Sequence, residues 1–143
     1  KPSSEYFMHR IFYRDRDDVG AVVHAHSTYS ATLAALHWEI EPIHYLIGYA
    51  GKNVRCAPYE LFGTEKLAKE ALEAMEDRNA CLLANHGLLA IGGTIEYAFD
   101  TAEEIEFVAE LYYKAKCVGE PIPLKSEEMD EFLEKFKPYG KKL

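Results

Sequence analysis

The chain has 143 residues, of which 48% are hydrophobic and 28% charged, so it can bury one core and has the balance of an ordinary globular domain. Its formal net charge of -8 argues against general affinity for nucleic acid, because neutralising phosphates needs a basic face. A small anionic ligand in a locally positive pocket remains compatible with that charge. The three cysteines form no C-x-x-C pair, which indicates a reducing, cytoplasmic setting without a disulfide framework.

No apolar run approaches the ~20 residues of a membrane span, and no repeat or interdomain linker is visible. We therefore expect residues 1–143 to form a single domain. The chain opens at Lys1-Pro2-Ser3 without a methionine, and a helix-start signal follows at once. We take this as an indication that the sequence belongs to a longer protein.

Hydrophobic spacing and turn residues predict a regular series of elements in the first half of the chain. Ser3 and Ser4 are good N-caps for a first helix, which should end in the charged stretch 14–18. The elements predicted after it are a buried strand at residues 21–26, a short helix at 28–37, and two short strands at 42–47 and 54–57.

The second half contains the clearest helices. Thr64 and Thr94 should cap two amphipathic helices, the second of which is the longest in the chain and stops at Gly119. Two apolar strands at residues 81–85 and 88–91 lie between these helices, and a final helix follows Ser126. This order predicts an α/β fold, a layered α/β/α domain in which helices cover a central, mainly antiparallel sheet.

The strongest local chemical signal is His24-Ala25-His26 on the first predicted strand. Side chains at positions i and i+2 of a strand project to the same face, so both imidazoles can converge on one point. Neutral imidazole is a common ligand for zinc and related metals. The alternative is a pair of half-exposed or hydrogen-bonded structural histidines, but the apolar neighbours Val22 and Val23 favour a shared metal.

Two further residues are candidate ligands. His86 follows a buried strand and precedes a glycine, where functional side chains are often placed, although it could simply cap that strand. Glu5 lies at the start of the first helix, where a carboxylate is favoured by the helix dipole whether or not it binds a metal. Three histidines and one carboxylate would complete a tetrahedral zinc set, but spacing alone does not establish that the four converge.

Taken together, these motifs resemble the class II aldolase and adducin-head family. The likeness covers essentially the whole chain in the family's order, and several short motifs at matching separations are more specific than any one. The matching stretches are Pro2-Ser3-Ser4-Glu5, Ala21-Val22-Val23-His24-Ala25-His26, Pro42-Ile43-His44-Tyr45, Cys56-Ala57-Pro58-Tyr59, Phe62-Gly63-Thr64, Asn85-His86-Gly87-Leu88 and Glu134-Lys135-Phe136-Lys137-Pro138-Tyr139-Gly140.

The resemblance implies a set of site residues and one Zn²⁺ per subunit. It assigns the metal to His24, His26, His86 and Glu5, with Glu5 then acting as the acid/base group. It also implies that Ser3 and Ser4 bind a substrate phosphate, that Tyr45 donates a proton in the site of a neighbouring subunit, and that Tyr139 closes over the substrate. The implied assembly is a homotetramer with sites at subunit interfaces. The family's N-terminal segment before the S-S-E motif is absent from this sequence.

The resemblance further implies a carbon–carbon lyase for a small sugar phosphate. Cleavage of L-fuculose 1-phosphate or a similar ketose 1-phosphate would give dihydroxyacetone phosphate and an aldehyde such as L-lactaldehyde, through an enediolate that the zinc stabilises. Alternatives within the family are a sugar-phosphate 4-epimerase, a decarboxylase or a methylthioribulose-phosphate dehydratase. A non-catalytic, adducin-like scaffold and a purely structural zinc module are the alternatives of a different class.

Overall fold

The computed structural model describes residues 2–140, with side chains described as far as Lys137. The helices are α1 (Tyr6–Asp15), α2 (Thr28–Ala35), α3 (Glu65–Ala74), α4 (Ile95–Val118) and α5 (Ser126–Gly140), together with a short 3₁₀ helix (Tyr45–Tyr49). The strands are β1 (Ala21–Ala25), β2 (Arg55–Ala57), β3 (Ala80–Leu83) and β4 (Gly87–Gly92). No helix in this part of the chain combines the length and apolarity needed to cross a bilayer.

The four strands form one sheet in the order β1-β4-β3-β2. β4 pairs antiparallel with both β1 and β3, whereas β2 runs parallel to β3. The β3–β4 hairpin closes where Leu83 lies opposite Gly87, and Leu88 of that hairpin lies opposite Ala25 at the end of β1. The mixed, mainly antiparallel sheet confirms the predicted fold class, and its order places the hairpin turn beside the end of β1.

Helices cover both faces of this sheet because its central strands are apolar on both sides. Leu82 and Leu88 belong to a core cluster shared with α2 and α4, whereas Leu83 and Leu89 belong to a second cluster shared with α1 and α3. Adjacent residues of a strand point to opposite faces, so the alternation along β3 and β4 creates the two layers.

The helix caps at Thr64 and Thr94 are as predicted. The hydroxyl of Thr64 accepts a hydrogen bond from the Leu67 amide, and that of Thr94 accepts one from the Tyr97 amide. Each side chain thereby satisfies a backbone donor that has no partner within its own helix.

Two local predictions were wrong. Residues 42–47 do not form a strand, because the His44 ring accepts a hydrogen bond from the Leu46 amide and the chain turns into the 3₁₀ helix. The N-cap of α1 is Glu5 rather than Ser3 or Ser4, and its side chain makes no capping hydrogen bond. At residues 42–47 a local side-chain contact decides the backbone path, and hydrophobic spacing carries no information about it.

Candidate metal centre

Three histidines meet at the edge of the sheet formed by the end of β1 and the β3–β4 turn. His24 is the penultimate residue of β1 and His26 follows its last residue, so both rings project from the same face. His86 lies in the turn that the Ala25–Leu88 pair places next to them. The ring centroids are 4.9 Å apart for His24 and His26, 4.8 Å for His24 and His86, and 5.0 Å for His26 and His86.

The nitrogen atoms of these rings converge as well. His24 Nε2 and His26 Nε2 are 3.1 Å apart, and one nitrogen from each of the three histidines lies within 4.8 Å of the others. Imidazole nitrogens at this spacing, partly withdrawn from solvent, fit a divalent metal such as zinc, which accepts His ligands at about 2.0–2.1 Å. The donor set does not by itself choose one divalent metal over another.

A backbone contact fixes the orientation of the His24 ring. His24 Nδ1 lies 2.9 Å from the carbonyl oxygen of Leu88 on the neighbouring strand. If Nδ1 carries the proton and donates to that carbonyl, Nε2 is left with a free lone pair directed toward the other two rings. Burial lowers the pKa of His24 to about 4, and the neighbouring His86 and His26 rings contribute to the fall, while the Leu88 carbonyl and the Glu5 charge oppose it.

The turn that carries His86 is held by its backbone. The His86 amide donates to the Leu83 carbonyl, and Asn85 adopts a left-handed conformation with φ 54° that turns the chain sharply. A Cβ at Gly87 would lie 2.4 Å from the Ala25 carbonyl oxygen, so only glycine lets the turn approach β1 this closely. Burial also lowers the pKa of His86, which favours the neutral, metal-binding form of the ring.

Glu5 is not a member of the group whose ligand atoms lie within 4.8 Å of one another. Its side chain is buried, with 8% of its surface exposed, and Oε2 accepts a long hydrogen bond of 3.4 Å from the Gly63 amide. Its negative charge raises the pKa of both His24 and His86, which partly offsets the effect of burial. The carboxylate is therefore electrostatically coupled to the cluster.

The two serines before Glu5 are exposed at the start of α1. The Ser3 hydroxyl accepts a hydrogen bond from the Glu5 amide at 3.2 Å. The Ser4 carbonyl oxygen would lie 2.8 Å from a Cβ at Gly63, whose φ is +72°, so the loop before α3 is packed closely against the first turn of α1. Gly63 holds the Glu5 carboxylate through its amide, a role that the sequence did not indicate. The Phe62-Gly63-Thr64 motif contains this residue.

Of the two candidate tyrosines, only Tyr45 has a described side chain. Tyr45 is 51% exposed, and its ring stacks on His44 at 4.6 Å and contacts Phe132 at 5.3 Å. About half of the Tyr45 surface is thus accessible to solvent in this chain. Tyr139 lies outside the residues whose side chains are described.

Comparison with known proteins identifies the class to which this fold and site belong. Residues 1–113 match the family described as the class II aldolase and adducin N-terminal domain, and the chain is a member of that family.

The individual relatives are sugar-phosphate aldolases. The chain is 56% identical over 140 residues to the 5-deoxy-D-ribulose 1-phosphate aldolase of Bacillus thuringiensis serovar kurstaki, covering 98% of this chain and 66% of that protein. It is 42% identical over 141 residues to the L-fuculose phosphate aldolase of Escherichia coli K12, covering 97% of this chain and 66% of that protein. A solved L-fuculose 1-phosphate aldolase superposes with a TM-score of 0.94 at 50% identity, covering 95% of this chain and 64% of the other. The chain thus spans slightly less than two thirds of each of these proteins.

The lowered pKa of His24 predicts an acid sensitivity of the metal-free protein. Between pH 6.5 and 4, His24 is protonated in the unfolded state but remains neutral in the folded state. The free energy of unfolding therefore falls as the pH falls through this window. The loss is at most about 1.4 kcal/mol per pH unit for this one group. Urea unfolding of the metal-free protein at several pH values measures it. The His24→Gln variant should show a shallower fall between pH 6.5 and 5, and identical slopes would contradict the assignment.

Proposed function

We propose that the protein is a metal-dependent class II aldolase that reversibly cleaves a ketose 1-phosphate into dihydroxyacetone phosphate and an aldehyde. The observation that carries this proposal is the convergence of His24, His26 and His86, together with the buried carboxylate of Glu5, whose charge acts on His24 and His86. Such a constellation joins a metal site to an acid/base group, which a purely structural zinc site does not need. The family membership supports the same reaction class.

The substrate we propose is a ketose 1-phosphate whose far end is deoxygenated. Relatives are named for 5-deoxy-D-ribulose 1-phosphate and for L-fuculose phosphate, the first at 56% and the second at 42% identity. Both sugars carry the same three-carbon phosphate half, so they differ only in the aldehyde released: acetaldehyde from the first and L-lactaldehyde from the second. The higher identity favours the five-carbon sugar as the better substrate, whereas the motifs alone place the emphasis on L-fuculose 1-phosphate.

We assign one Zn²⁺ per subunit to the imidazoles of His24, His26 and His86, with Glu5 as the fourth ligand. With four protein ligands the metal would have no open position, so Glu5 would have to give up its place for a substrate oxygen to bind. The position of Glu5 outside the tight three-histidine group is compatible with such an exchange. When bound, the metal supplies Lewis-acid chemistry to the carbonyl and hydroxyl oxygens of the substrate.

The protein groups then have separate tasks. Bond cleavage requires that the C4 hydroxyl lose its proton, that the C3–C4 bond break, and that C3 gain a proton. We assign the proton transfer at C3 to the Glu5 carboxylate. Ser3 and Ser4 precede α1, whose N-terminal amides and dipole favour an anion, so we assign the substrate phosphate to them.

We assign the proton of the C4 hydroxyl to Tyr45 of a neighbouring subunit, which would accept it during cleavage and donate it in the reverse reaction. The ring is half exposed and held by His44 and Phe132, so it can project into an adjoining copy rather than into its own site. This assignment requires a homotetramer or another assembly with sites at its interfaces. Tyr139 is proposed to close over the substrate, and we place the enzyme in the cytoplasm.

An aldol-cleavage assay tests this function directly. The zinc-loaded protein is incubated with 5-deoxyribulose 1-phosphate and, separately, with L-fuculose 1-phosphate, and dihydroxyacetone phosphate is detected by its coupled reduction. We expect release from both sugars, with the higher kcat/KM for the five-carbon one. Isomerised sugar phosphate without any three-carbon product would identify an epimerase instead, and the absence of any reaction would contradict catalysis.

A further inference from the structure

The start of α2 is held by a residue from another helix. Glu106 of α4 accepts hydrogen bonds through Oε1 from the Tyr29 amide at 2.7 Å and through Oε2 from the Ser30 amide at 2.9 Å. Oε2 also accepts a hydrogen bond from the Ser30 hydroxyl at 2.7 Å, and Ser30 is fully buried. These amides are the second and third of α2, the two donors that an N-cap side chain usually satisfies.

The residue at the N-cap position itself does not do this. Ser27 has the extended backbone of an N-cap, but its side chain makes no capping hydrogen bond. Its hydroxyl oxygen is buried and has no hydrogen-bond partner among the described residues. Glu106 therefore replaces the local cap, and it ties the first turn of α2 to α4 instead of to the preceding residue.

The amides that Glu106 holds lie three and four residues after a proposed metal ligand, His26. The last residue of β1 paired with β4 is Ala25, so His26 is beyond the sheet and no ladder hydrogen bond fixes it. The His26 side chain is exposed, and its one hydrogen-bonding contact in the described part of the chain is to His24. His24, in contrast, is held within β1 and by the Leu88 carbonyl. His26 thus lies in the short segment between the end of β1 and the first turn of α2, and these two elements set the position of its backbone.

We propose that Glu106 is a positioning residue that sets the backbone of His26, and with it the metal affinity of the three-histidine cluster, by capping α2 from α4. This inference rests on the proposed function, because it takes the three histidines to be metal ligands. Without the cap, the Tyr29 and Ser30 amides lose their acceptor and the first turn of α2 unwinds or shifts. His26 then loses the fixed support on its C-terminal side.

Metal binding is the readout that separates positioning from mere stabilisation. The variants are Glu106→Gln and Glu106→Ala, with Glu103→Gln as a matched loss of charge at an exposed position on the same helix. Zinc affinity is measured by competition with a chromophoric chelator, and the ligand-field spectrum is recorded with Co²⁺, both well below the unfolding temperature. We expect Glu106→Gln to weaken zinc binding about 10-fold and to change the Co²⁺ spectrum. Glu103→Gln should match the wild type in both.

A cap supplied at the N-cap position itself should restore the zinc affinity that is lost when Glu106 is replaced. Asparagine is a good N-cap residue without a charge, so Ser27→Asn in the Glu106→Gln background should recover much of the zinc affinity. The same change in the wild-type background should do little, because Glu106 already occupies the amides. An equal gain in zinc affinity from Ser27→Asn in both backgrounds would overturn the capping mechanism.

The outcomes separate the inference from the proposed function. Wild-type zinc affinity and an unchanged Co²⁺ spectrum in folded Glu106→Gln and Glu106→Ala would overturn the positioning role while leaving the metal site intact. If instead His26→Ala bound zinc as tightly as the wild type, the proposed metal site itself would fall, and this inference with it.

Discussion

Replacing His86 with alanine is expected to remove both metal binding and aldol cleavage. His86 contributes one of the three rings whose nitrogens lie within 4.8 Å of one another, and the remaining two would offer an open, poorly defined site. Since substitutions outside the first ligand shell already cost 10- to 100-fold in metal affinity, the loss of a ligand should lower zinc affinity by at least about 100-fold. Metal content after dialysis and kcat/KM for the ketose phosphate measure the two effects.

His9→Gln is the matched control for that variant. His9 lies on α1, is partly buried like His86, and is not a member of the three-histidine group. It should retain zinc and activity. An active, zinc-loaded His86→Ala protein would remove His86 from the metal site.

Replacing Glu5 with glutamine is expected to separate metal binding from turnover. The three imidazoles remain, so the protein should still hold close to one zinc per subunit, but the amide cannot exchange a proton at C3. Loss of a general acid/base group lowers the rate by about 10²- to 10⁴-fold, and we expect kcat to fall within that range. Metal analysis of the purified variant, followed by steady-state kinetics with added zinc, measures both quantities.

Glu65→Gln removes a carboxylate from an exposed position in the first turn of α3 and should leave kcat unchanged. A Glu5→Gln protein with normal turnover would exclude Glu5 as the acid/base group. A variant without zinc would show that Glu5 acts mainly as a metal ligand.

The predictable parts of the fold are those in which a local pattern and the tertiary environment agree. Thr64 and Thr94 are recognisable as caps because capping depends on residues three positions apart, and both make the expected bonds. The sequence does not distinguish a strand from a short helix at residues 42–47, because an apolar stretch is compatible with either. The hydrogen bond from the Leu46 amide to His44 decides between them, and spacing does not reveal it.

The site divides in a similar way. The shared direction of His24 and His26 follows from the two-residue period of a strand, so the sequence suffices to pair them. The approach of His86 depends on β1 lying next to β4, which is a matter of sheet order and not of local pattern. Glu106 is 80 residues beyond His26. Its place on an amphipathic helix predicts an ordinary solvent-exposed glutamate. Only the packing of α2 on α4 shows which amides it holds.

The most direct test of the account is an anomalous difference map from crystals of the protein grown with zinc and recorded at the zinc edge. We expect one strong peak per subunit, about 2.0–2.1 Å from nitrogens of His24, His26 and His86, with Glu5 as the adjacent carboxylate. A peak at any other position, or crystals that contain zinc with these three imidazoles unliganded, would contradict the central claim that they form the metal centre.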